Sequence, residues 1–192
     1  MKISLLDYTS DPEYKIGFAA AECYDSKQDR ASCIKRAASC VDKGHLTTLR
    51  FAYATFNISG ISRICSHQLV RMAHAGILQR SQRYVEETDI QFLRPPSLSP
   101  ELETEWQKLE DASRNLYSKA LQSGMLKEDA RFALLHSAET SINLCLNFQA
   151  WLDFLRHRIH PAAQWEVRAV ALGIGAQLAE IAPNIFEAYK CE

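Results

Sequence analysis

At 192 residues the chain is long enough for one domain with a sizeable core, and 47% hydrophobic with 23% charged residues is an ordinary globular composition. A formal net charge of −1 excludes general attraction to nucleic acid or to an anionic membrane, so any anion site must be built locally. No apolar run approaches the ~20 residues of a membrane span, and Met1 to Asp7 has neither the apolar stretch nor the cleavage site of a secretory signal, which points to the cytoplasm.

Lys2 to Tyr8 alternates weakly and predicts a strand. Tyr14 to Cys23 is an Ala-rich helix. A second helix is expected from Ser26, with Asp29 as its early acid, and stops at Lys43-Gly44, where glycine suits the left-handed position past a helix end. Leu49 to Ile58 is rich in aromatic and β-branched residues with a change of phase; it predicts a bulged strand, followed by a turn at Ser59-Gly60. Ser66 to Tyr84 then gathers Arg71, Arg80, Arg83, His67 and His74. Its first half predicts a helix that turns Leu69, Val70 and Met72 to a core and places His67 and His74 on the side of Arg71. Gly76 interrupts the pattern, and Ser81 to Tyr84 leads into an extended Val85-Glu86-Glu87. No acid occurs between Ser59 and Val85, so the counter-charge is expected from an anionic ligand, unless the stretch is a solvated basic face.

Arg94-Pro95-Pro96 cannot be helical. Ser99-Pro100-Glu101 starts a helix whose Leu102, Trp106, Leu109, Leu116 and Ala120 form an apolar stripe, expected in an intramolecular core or against partner subunits. Lys127 to Leu135 is a shorter helix carrying Arg131. Ser137 to Leu146 alternates with period two, a strand. Asn147 to Arg158 is a helix, and Pro161 opens the last one, where Val167, Val170, Ala171, Ile174, Leu178 and Ile181 recur at helical spacing. The sum is an α+β fold, a single domain over residues 1–192, with three or four strands and five or six helices. The six cysteines include no Cys-x-x-Cys pair and are expected to be reduced, with no metal site; Cys23 reads as a buried helix thiol rather than a nucleophile. Arg156-His157-Arg158-Ile159-His160 collects four cationic groups at a helix end, where each is favoured by ~0.3–1 kcal/mol.

Taken in order, these motifs resemble the flavin-dependent thymidylate synthases over nearly the whole chain. The matching segments are Ala19-Ala20-Ala21-Glu22-Cys23-Tyr24, Gly44-His45-Leu46-Thr47, Gly60 through Arg71, and Ser81-Gln82-Arg83-Tyr84-Val85. Ala130-Arg131 ahead of Asn147, and Leu155 and Arg158 ahead of Ala163-Gln164-Trp165-Glu166, complete the series. The departures are equally distinct. Met72-Ala73 follow Arg71 where the family signature continues as His-Arg, and Arg50-Phe51 stand in place of Glu-His. Leu78 and Gln79 replace Asn and Glu, and Asn147-Phe148-Gln149-Ala150 replace Asn-Ala-Arg-Ser. Arg156-His157-Arg158 has the signature's letters but not its following Ser.

The resemblance implies a small, mostly antiparallel sheet packed by helices, and methylation of dUMP to dTMP. Methylenetetrahydrofolate would give the carbon, FAD the hydride and NADPH the electrons, in a homotetramer with shared sites. No cysteine nucleophile is needed. Arg158 would be catalytic, a permanent cation beside the pyrimidine. Substrate would be bound by Gln68, Arg71, Gln79, Arg80, Ser81, Gln82, Arg83, Arg131 and Arg158, with Arg83 and Arg131 on the phosphate. FAD would be bound by His45, Thr47, Arg71, His74, Gln79, Asn147, Gln149 and Asp153. His74 and Arg80 are the candidates to make up for the cations absent at 72 and 73. The alternatives are the same chemistry on another uridine nucleotide, and a non-catalytic nucleotide-binding paralogue.

Overall fold

The computed structural model describes residues 1–23 and 25–190. Tyr24 of the Cys-Tyr motif and Cys191 lie outside the described residues. Four strands form one antiparallel sheet: β1 (Lys2–Tyr8), β2 (Tyr53–Ser62), β3 (Gly76–Gln79) and β4 (Glu139–Asn147), in the spatial order β1-β2-β4-β3. The period-two pattern accounts for the central pair. Ala54, Phe56 and Ile58 of β2 and Ile142, Leu144 and Leu146 of β4 point to one face and are at most 2% exposed, and each large side chain so buried stabilises the fold by about 1.5–3 kcal/mol. The opposite face is polar and partly open, and Asn57 Nδ2 donates to Asn143 Oδ1 across it at 2.7 Å.

Eight α-helices occur among the described residues, more than expected because two are single turns: α1 (Pro12–Glu22), α2 (Arg30–Asp42), α3 (Arg63–Leu69), α4 (Glu103–Gln122), α5 (Lys127–Ala130), α6 (Phe148–Arg158), α7 (Trp165–Ile181) and α8 (Pro183–Phe186). The apolar α7 lies against β1 of the sheet, where Gln177 accepts from Leu5 N–H at 3.0 Å and donates to Ile3 O at 3.2 Å. The indole Nε1 of Trp151 in α6 donates to Ala54 O at 3.0 Å, and its ring meets Phe56 edge-on at 5.2 Å. None of the described helices is long and apolar enough to cross a membrane.

Several expectations are corrected. The second helix starts at Arg30, because Asp29 is its cap rather than an interior acid: the carboxylate accepts from Ser32 N–H at 3.0 Å. Leu46–Phe51 is a 3₁₀ helix, so β2 begins later than Leu49. Ser59-Gly60 is not a turn but the bulge itself, with Gly60 at φ +67°, and the strand runs on to Ser62. The helix through the basic stretch ends at Leu69, and the edge strand β3 follows. The Lys127–Leu135 helix is only α5 and a 3₁₀ turn at Arg131–Ala133. The last helix opens at Trp165, where Gln164 accepts from the N–H groups of Glu166 and Val167. Cys23 is exposed at the end of α1 rather than buried, and the five described cysteines are unpaired thiols. The α4 stripe does not face the chain's core: Leu102, Leu109 and Leu116 are 51–59% exposed, and the helix buries Glu110, Ser113 and Tyr117 instead.

Candidate active site

A cavity of about 410 Å³ opens between the end of α3, the turn after it and one face of α6. Helical periodicity brings Gln149, Ala150, Asp153, Phe154, His157 and Arg158 of α6 to that face. Asn147 lines the cavity and caps the helix, accepting from Ala150 N–H at 2.9 Å. Gln68, Arg71, Met72, Ala73 and His74 come from the opposite wall, and Arg50 from the 3₁₀ helix. His74 reaches this wall from a left-handed backbone (φ +60°) rather than from a helix, a conformation that costs a non-glycine residue about 1–3 kcal/mol and is concentrated at functional sites. His67, expected beside it, lies 5.4 Å from the ring of His136.

The opposite wall is held from behind. Ser62 caps α3 by accepting from Cys65 N–H at 3.0 Å, and Ser62 is itself held by the buried carboxylate of Glu166, which accepts from its N–H at 2.6 Å and its hydroxyl at 2.5 Å. Burial, with the charge of Glu166, pushes the Cys65 thiol up to about 12 although Arg158 opposes the shift, so no thiolate nucleophile stands here.

The cavity is cationic. Arg71 and Arg158 have no ion-pair partner among the described residues. Arg50 donates through Nε to the neutral side-chain oxygen of Gln149 at 2.7 Å. Asp153 is the one carboxylate among the described lining residues, and its backbone oxygen is 2.7 Å from Nδ1 of His157. Such a surface can hold an anion and stabilise negative charge on a bound ring.

The remaining predicted residues lie elsewhere in the chain. Gln79 donates to the hydroxyls of Ser66 and Thr140, at 2.9 and 3.3 Å. Arg80 forms a two-pronged ion pair with the buried Glu87, 3.0 and 3.3 Å, which holds its guanidinium more firmly protonated than usual. Arg83 pairs with Glu128 through Nε, and its N–H donates to the Ser81 hydroxyl at 3.2 Å. Arg131 donates to the backbone oxygen of the same Glu128 at 2.9 Å, so the expected phosphate pair is gathered at one point, outside the cavity. Gln82 is 6% exposed, and its side-chain nitrogen has no hydrogen-bond partner among the described residues. His45 and Thr47 line a second cavity of about 580 Å³ at the end of α2.

Sequence reasoning passed over Arg50, His157 and Glu166 as working residues. Arg50 was signalled by the loss of an acid from its motif. His157 was signalled by its place one helical turn from Asp153. Glu166 ends a matched motif, but nothing local shows that its partner is Ser62.

The family model described as thymidylate synthase complementing protein matches residues 4–184. Curated relatives called flavin-dependent thymidylate synthase include one from Geobacter sulfurreducens, 40% identical over 97% of this chain and 85% of its own length. One from Pyrococcus furiosus is 34% identical over 89% of this chain and 76% of its own length. One from Clostridium tetani is 29% identical over 97% and 86%.

Proposed function

The chain belongs to the family of thymidylate synthase complementing proteins, the flavin-dependent thymidylate synthases, and from that premise we propose that it converts dUMP to dTMP. In this reading methylenetetrahydrofolate gives the carbon and NADPH the electrons. The observation that carries it is the pair of unneutralised guanidiniums, Arg71 and Arg158, facing one cavity. The residues present suit FAD: permanent cations for its phosphates, the amides of Asn147 and Gln149, and an apolar wall of Met72, Ala73, Ala150 and Phe154. FAD supplies the hydride that reduces the transferred carbon.

The chain's own residues do the rest. Arg158, half-buried at the end of α6, stabilises negative charge on the pyrimidine while the new carbon–carbon bond forms, and needs no proton transfer to do so. Gln68 and Arg71 orient the nucleotide, and His74, Asn147, Gln149 and Asp153 hold the cofactor. Arg131 and Arg83, the latter exchanging its contact with Glu128 for the phosphate, grip with the Ser81 hydroxyl the dUMP phosphate of a site completed by another copy of the chain in a cytoplasmic homotetramer. The exposed Leu109 and Leu116, and Phe132 at 87% exposure beside Arg131, are apolar surface suited to burial between copies. A second reading, a non-catalytic nucleotide-binding protein, draws on Met72 and Ala73 lining the cavity where the resemblance expects His and Arg.

The test supplies purified protein with dUMP, methylenetetrahydrofolate, NADPH and FAD and measures dTMP. Product that disappears in Arg158→Ala supports the reading. A wild-type protein that binds dUMP but makes no dTMP favours the second.

A further inference from the structure

We propose that Arg50 is the residue that binds the phosphate groups of the flavin dinucleotide in this cavity, and that Gln149 is its positioning partner; the inference rests on reading the cavity as a flavin site. Five arginines among the described residues are neutralised by carboxylates. Arg30 meets Asp11, Arg80 meets Glu87, Arg83 meets Glu128, Arg94 meets Glu103 and Glu110, and Arg114 meets Asp111. Arg50 is held differently. Its Nε donates to an amide oxygen at 2.7 Å, which fixes the guanidinium plane and removes none of its charge. A guanidinium has five N–H donors, and this contact uses one. The others remain for a ligand in a cavity that Arg50 and Gln149 both line.

The contact also explains two departures from the family pattern as one. The resemblance puts an acid at 50 and an arginine at 149; here an arginine and a glutamine meet, from positions 99 residues apart. The cation stands on the 3₁₀ helix rather than on α6, and with no acid opposite it the pair keeps a net positive charge in the cavity. A phosphate-bearing ligand is the class that a fixed planar fork with intact charge recognises best.

The experiment compares binding of FAD and of riboflavin, which carries no phosphate, by flavin fluorescence and calorimetry. Arg50→Gln is expected to weaken FAD about tenfold, the loss of one charge-assisted phosphate contact, and to leave riboflavin unchanged. Arg50→Glu is expected to weaken FAD further, and the double variant Arg50→Gln with Gln149→Arg to restore it, since the amide–guanidinium contact is rebuilt with its net positive charge on the other element. Arg50 is exposed, so the melting temperature should not move; Arg50→Lys, which keeps charge without the fork, is expected between wild type and Arg50→Gln. Equal FAD affinity in wild type and Arg50→Gln overturns the role of Arg50 and leaves the flavin reading standing. An equal loss for riboflavin overturns the phosphate assignment. Wild-type protein that takes up no flavin overturns the parent reading, and this one with it.

Discussion

Two regions of the molecule treat arginine in opposite ways. Around α4 and α5, Arg80, Arg83 and Arg94 are each closed off by carboxylates, from Glu87, Glu128, and Glu103 with Glu110. In the cavity beside α6, Arg71 and Arg158 meet no carboxylate among the described residues and Arg50 meets an amide. The first set joins loops to helices: Arg94 ties its loop to α4, and Glu87 accepts from Arg80 while its own N–H donates to Tyr117 in α4. The second set contributes little to the chain's own cohesion and leaves its charge for something else. Local charge density does not separate the two, because Arg71 and Arg80 occupy the same basic stretch. The partner does.

The sharpest way to break this comparison is Arg158→Ala. Loss of one preorganised stabiliser of developing charge is expected to cost dTMP formation about 10²–10³-fold, with urea-unfolding stability within about 0.5 kcal/mol of wild type. A large stability loss instead would put Arg158 among the structural cations. Glu166→Ala should differ by costing stability as well, about 2–3 kcal/mol in the same unfolding measurement, because Ser62 loses its buried acceptor. Glu87→Gln is expected to lower stability by about 1–2 kcal/mol, since a buried carboxylate that accepts twice becomes an amide. It should leave flavin affinity untouched, and a drop in that affinity would join Arg80 to the cavity cations. The smallest effect concerns acid. The N–H and hydroxyl of Ser32 hold the Asp29 carboxyl below its ordinary value. The stability from this cap is therefore complete above the unfolded pKa near 4 and fades as pH falls through the lower folded value. Asp29→Ala should flatten the acid limb of a thermal-melt series and leave the neutral limb nearly parallel; an unchanged acid limb would remove the cap from the account.

What the chain revealed in advance follows from where its partners lie. The alternation of β4 and the span of α6, from the Asn147 cap to Arg158, are local patterns, and both hold. β3 was not legible because Gly-Ile-Leu-Gln is a four-residue edge strand whose pairing with β4 is written in β4. The end of α3 at Leu69 was hidden for a similar reason: no glycine or proline marks it, and the left-handed residue beyond is a histidine. The missing acids of the basic stretch suggested a ligand for all its arginines. Glu87 lies just outside the stretch and Glu128 far beyond it, so two of the three meet a carboxylate of the chain itself before any ligand binds. For Arg71 the inference keeps its motive.

The Glu166–Ser62 contact has a consequence for anyone searching this protein for catalytic groups by turnover alone. Ser62 starts α3, which leads to Gln68 and Arg71, while Glu166 stands in the first turn of α7, just after the chain leaves Arg158. One buried carboxylate thereby acts as the spacer between the two ends that present charge to the cavity. Effective molarity is sensitive to misplacement on the scale of 1 Å, so a variant at Glu166 that still folds would lose rate like a mutant of the reacting centre. In kinetics it would pass for a catalytic acid, though it does not line the cavity.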